Sequence, residues 1–176
     1  MRSSLLLALF TIAAGAATAC GSQASPDGRD APFAVAAIDR YAPSPAAIAG
    51  ARYDLPAPIG PIALTNGVWH GEDGARVQLL ADRTLVDDLY SDGGEEAVAF
   101  LEVTTADEST LLVVIVDVLD GLVHTIATTF VGANLTLQSS SIADGLIVVD
   151  VVPAAGGDSR QLSWRLVDRQ LVRQGE

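Results

Sequence analysis

Asp88, Asp92 and Glu96 stand four residues apart, with Gly93 and Gly94 directly after the middle acid. Calcium prefers clustered hard oxygens in a tightly turned loop, with a glycine where the chain must bend. A loop of the form Asp-x-[Asp/Asn]-x-Asp-Gly-x-x-[Asp/Glu] offers such oxygens from alternate side chains and one carbonyl. Here those positions fall on Asp88, Tyr90, Asp92, the carbonyl of Gly94, and Glu96. Tyr90 departs from the pattern, because a neutral phenol is a poor calcium ligand. Two readings follow: a calcium site on Asp88, Asp92, Gly94 and Glu96, or a solvated acidic turn before a strand.

Cys20 carries the second possible chemistry. It is the only cysteine of the chain, so no internal disulfide can form. Met1-Arg2-Ser3-Ser4 is a short basic start, and Leu5 to Ala17 is an apolar run too short to span a bilayer comfortably. Small residues then lead to Cys20, the pattern of an export signal with a cleavage site. The stretch Ala17-Thr18-Ala19-Cys20 resembles a bacterial lipobox, with Ala17 where leucine is usual. That resemblance implies cleavage before Cys20 and lipid on its sulfur and amine, and two chains together anchor stably. By the same resemblance, Gly21 after the cysteine favours the outer membrane of a Gram-negative envelope, on its periplasmic face.

Other catalytic or metal patterns are weak. His70 and His124 are the only histidines, too few for a zinc site that needs three or four close ligands. There is no Gly-x-Ser-x-Gly elbow. There is no lysine, hence no lysine-bearing phosphate loop. Paired carboxylates occur at Asp87/Asp88, Glu95/Glu96 and Asp117/Asp120, and glycosidase chemistry would need two of them facing across a cleft. The chain is therefore read as non-catalytic, with an envelope glycan hydrolase as the alternative. Twenty-two acidic against ten basic residues give a net charge of -12, which repels nucleic acid and anionic headgroups. A basic partner, such as a hydrolase to be inhibited, suits that charge.

The elements that position these groups can be read from the pattern. With 176 residues, 49% hydrophobic and 18% charged, the chain is long enough for one core. Residues 1–19 read as the signal. Residues 20–60 read as the lipid-bearing cysteine and a flexible tether, with a short helix expected from Phe33 to Tyr41 after Asp30-Ala31-Pro32 and an extended, Ala/Pro-rich approach from Pro43 to Pro61. Residues 61–176 read as the folded domain. From Ile62 on, short apolar runs, the first a strand from Ile62 to Trp69, alternate with turn dipeptides, among them Asp120-Gly121 and Asp144-Gly145.

The expected fold is all-β, an antiparallel meander closing as a sandwich or a barrel. Leu111 to Val116 is apolar on both faces, so it should be a central strand covered on both sides. Leu135 to Ser140 alternates, so it should lie at an edge or have one wet face. Ile147, Val149 and Val151, and Leu162, Trp164 and Leu166, share faces and should enter the core with Trp69.

The stretch Leu85 to Val98 resembles the acidic loop and strand of FG-GAP-type calcium repeats. The likeness is closest at Asp88, Leu89, Asp92, Gly93, Glu96 and Ala97-Val98, and it departs at Tyr90 and Ser91. One copy does not imply a propeller. From about Leu64 to Val172 the chain is also similar to exported bacterial envelope proteins with one such loop. Those continue with a run like Ser140 to Asp150 and often carry a cysteine pair where Pro153 to Arg160 stand here. The resemblance implies a small exported β-domain. The function expected is that of a lipid-anchored binding or accessory module, joined to the membrane through Cys20 and to an envelope protein or glycan through its folded part.

Overall fold

The computed structural model describes residues 42–175, all within one compact unit, Ala36–Glu176. The signal 1–19, Cys20 and the helix expected at Phe33–Tyr41 lie outside the described residues. The fold is all-β, with antiparallel sheets packed as a sandwich and not closed as a barrel.

The stretch before residue 61 holds the first departure from expectation. A five-residue helix α1, Pro45–Ala49, follows Ser44, whose hydroxyl caps the Ala47 amide, with proline in the first turn. Strand β1 (Arg52–Asp54) then pairs with β2 (Pro61–Ala63). Ile48, Tyr53 and Leu55 are buried, and the Tyr53 hydroxyl donates to the Ile48 carbonyl at 2.8 Å. Burial raises the Tyr53 pKa, so the phenol stays neutral. An extended approach as far as Pro61 was expected because of the prolines. Instead Pro45 starts a helix, where a missing N–H costs nothing. The apolar residues between the prolines supply core.

The run expected as one strand from Ile62 to Trp69 is broken. Asn66 and Gly67 both adopt positive φ, at 53° and 80°, and turn the chain between Thr65 and Val68. This is the Asn-Gly hairpin chemistry of a type I′ turn. Beyond it lie β3 (Val68–His70), β4 (Arg76–Leu79), a 3-10 turn (Ala81–Arg83), β5 (Leu85–Asp87), β6 (Glu96–Thr104), β7 (Ser109–Leu119) and β8 (Leu122–Ala133). They form a sheet in the order β3-β4-β6-β7-β8. Strands β4 and β5 lie end to end along the same side of β6, with Leu79 opposite Leu101 and Leu85 opposite Val98. The 3-10 turn is the break between them. It leaves β5 and β6 as a hairpin whose loop is the acidic stretch.

Strands β9 (Leu135–Ala143), β10 (Leu146–Pro153), β11 (Arg160–Val167) and β12 (Gln170–Gln174) form the second sheet as a plain meander. β9 is an edge strand with alternating burial at its start, as its pattern foretold.

Two cores result. One packs α1, β1 and β2 onto the face of the first sheet that carries Ala97, Ala99, Leu101, Leu112, Val114 and Val116. The other packs Ile147, Val149, Val151, Leu162 and Trp164 onto the face that carries Val98, Phe100, Val113 and Ile115. Leu111 to Val116 are each no more than 3% exposed, which is the doubly covered strand the sequence required. Each such side chain stabilises the fold by roughly 1.5–3 kcal/mol. Trp164 is buried in the second core, and Trp69 packs partly buried on the first.

The outer face of the second sheet has no layer over it among the described residues. Its side chains alternate with the core set, so Ser141, Val148 and Ser163 stand side by side on it.

Candidate functional site: the acidic loop

The loop spans Asp88 to Glu95, closed at its base by the ladder pair Asp87 and Glu96. Its carboxylates turn back on its own backbone. Asp88 Oδ1 accepts the Asp92 N–H at 3.0 Å and Asp88 Oδ2 accepts the Gly93 N–H at 2.9 Å. Asp92 Oδ1 accepts the Gly94 N–H at 3.0 Å, and Asp87 Oδ1 accepts the Asp88 N–H at 2.9 Å. Short acids in turns do this because their side chains reach the amides that the turn leaves unpaired. The spacing of four thus places Asp88 under the amides of residues 92 and 93. Ser91 and Gly93 take positive φ, at 56° and 85°.

Glu96 differs from the other acids. It points inward beside Leu85, Leu89 and Tyr90 and is 1% exposed. Its Oε2 accepts the Leu89 N–H at 2.9 Å, and the Tyr90 N–H also bonds to its carboxylate. Burial pushes its pKa up; the Leu89 amide opposes the rise, the charges of Asp92 and Asp88 add to it, and the Tyr90 amide opposes it again. Tyr90 packs over this end of the second core, with its hydroxyl buried and without a hydrogen-bond partner among the described residues. Its pKa is raised by burial first. The charge of Arg169 counters that, and Glu96, Asp117 and Asp92 add to it.

The donor set expected for calcium was Asp88, Asp92, the Gly94 carbonyl and Glu96. Asp88 uses both oxygens on amides, and Glu96 faces the core between the sheets. Among the described residues no three His, Cys, Asp or Glu side chains gather as a group that could hold a metal. In this arrangement the oxygens serve the turn's own amides, whereas a calcium ion would need them turned toward one centre.

The carboxylate pairs do not face one another across a cleft. Glu95 is exposed where Glu96 is buried, and Asp88 caps the turn that Asp87 begins. Asp117 follows the Val116–Ala97 pair at the same end of the sheet as the acidic loop, while Asp120 holds the β7–β8 turn at φ 54° and is exposed. His70 and His124 are exposed on different hairpins, opposite Arg76 and Asp117 in their ladders.

Pattern reading did not single out the groove between the α1–β1 segment and the tip of the β7–β8 hairpin. It has a volume of about 520 Å³ and is lined by Ala47, Ala51, Arg52, Leu122, Val123 and His124, among others. Its walls come from segments some seventy residues apart. The Asp54 N–H bonded to Thr125 Oγ1 at 3.2 Å ties them together. No local signal marks such a groove.

No family model, curated protein or solved structure matches this chain.

Proposed function

We propose that this chain is a lipid-anchored, non-catalytic module of the bacterial envelope that acts by binding. The observation that carries the reading is Cys20, a lone cysteine placed directly after an apolar run that ends in the small residues Ala17-Thr18-Ala19. The folded unit behind it suits a binding role, since its loop carboxylates close a turn instead of converging on a reacting atom. Labelling with a palmitate analogue and membrane fractionation test it. The wild type should carry label and sediment with membranes, and Cys20→Ser should lose both. Equal partition of the two proteins would overturn the anchor.

Inhibition of a basic hydrolase is the second reading. The exposed acids Asp87, Asp92 and Glu95 crowd one hairpin end in a chain of net charge -12. Such a complex should weaken steeply with salt. A glycan hydrolase acting through paired carboxylates has less support, because Glu95 and Glu96 do not share an exposure.

A further inference from the structure

The uncovered outer face of the second sheet is electrically balanced in a strongly acidic chain. Three parallel rows cross it. The middle row runs Ser141, Val148, Ser163. One flanking row holds Asp150, whose carboxylate accepts from the Ser139 hydroxyl and from the Gln161 amide, the latter at 3.1 Å. The other flanking row holds Arg165, whose guanidinium donates to the Asp144 carbonyl at 3.0 Å. The two charges are opposite and lie on adjacent strands, one row to either side of the middle.

We propose that this face is a self-association surface, where a second copy of the chain packs face to face about a two-fold axis running along the middle row. The placement of the charges selects that occupant. Rotation about such an axis exchanges the flanking rows, so Asp150 of one copy arrives one strand away from Arg165 of the other, twice over. A closed two-fold contact is the commonest way for identical chains to pair. A cationic partner has nothing to gain here, since this face carries no excess of acid. Elsewhere the net charge of -12 sets two copies against each other.

The size of the face sets the strength. Four strands about 4.8 Å apart and roughly eight residues long at about 3.4 Å each give on the order of 500 Å² per copy. That is below the roughly 800 Å² per partner of a standard stable interface, so the pairing is weak and concentration-dependent.

Sedimentation of the full chain over a rising concentration series tests the proposal. The average mass should climb from one chain toward two. Residues of the middle row face their own copies across the axis, so Val148→Glu opposes two carboxylates and should weaken association at least about tenfold. Ser141→Glu, at an exposed end of the same row, should do likewise, and it covers the case in which Val148→Glu disturbs folding. Asp150→Arg and Arg165→Asp should each weaken pairing, and the two together should restore it. A wild type that stays monomeric throughout overturns the proposal. So does association that is indifferent to Ser141→Glu, or a double exchange that fails to recover.

Discussion

The carboxylate of Glu96 accepts the backbone N–H of Leu89 at 2.9 Å from a side chain only 1% exposed to solvent. An acid with no cation in hydrogen-bond reach among the described residues thus closes the base of a loop that holds further acids. Burial makes its ionised form costly, while the amides of Leu89 and Tyr90 reduce that cost.

This relationship fixes the sign of a pH effect. The folded-state pKa of Glu96 is raised, so the native chain binds more protons than the unfolded one between the ordinary glutamate value and the raised value. On this side chain's account, stability is fullest below the ordinary value and falls as pH rises through the raised one. Glu96→Gln keeps an acceptor for Leu89 and removes the titration. Melting temperature against pH should therefore differ between the two proteins by a gap that changes across that window. A constant gap from pH 4 to pH 8 would show that Glu96 titrates alike in both states.

Asp88 carries the turn itself. Asp88→Ala leaves the amides of Asp92 and Gly93 without their acceptor and should destabilise the unit by roughly 1–3 kcal/mol, as for a lost cap. Asp88→Asn, which keeps one oxygen, should cost less. Calcium and chelator should leave the wild-type melt where it is. An ion that bound only the folded state would add about 2.7 kcal/mol at a hundredfold excess over its Kd. A shift of that kind, absent in Asp92→Ala, would establish the calcium reading.

The segment ahead of Pro61 should prove indispensable. Ile48, Tyr53 and Leu55 are buried, and together they contribute about 5–8 kcal/mol, comparable to the whole stability of an ordinary domain. A chain that starts at Pro61 should fail to give a cooperative melt, whereas one that starts at Ala36 should give one. Tyr53→Phe, which strips the Ile48 carbonyl of its 2.8 Å donor, should cost about 1 kcal/mol.

The second half of the fold was legible because its signals are local. Asp120-Gly121 and Asp144-Gly145 fix their hairpins through positive φ, and Leu111 to Val116 announces double burial by having no polar face. Legibility failed where one residue type serves two ends. Prolines 43 to 61 read as an extended tether, yet Ser44-Pro45 is equally a helix start, and only the packing of Tyr53 decides between them. Asn66-Gly67 was a turn signal hidden inside an apolar run.

The acidic loop posed the same difficulty in its chemistry. Four-residue spacing suits both a ligand shell and acids that cap amides. The difference lies in where each oxygen points, and composition does not encode that. That Glu96 turns inward follows from strand alternation with Val98 and Phe100, a clue its charge obscured.

The bond between the Asp54 amide and Thr125 joins residues 71 apart in the chain. The first layer to be synthesised is therefore among the last that can dock. Contacts of such long range slow folding, because the intervening loop must be closed before they form. Until β6 and β7 have followed it, the leading segment lacks the sheet face on which Ile48 and Tyr53 are buried. Such a molecule stays threadable while it is being made, and it commits to its final shape only once most of its length is present.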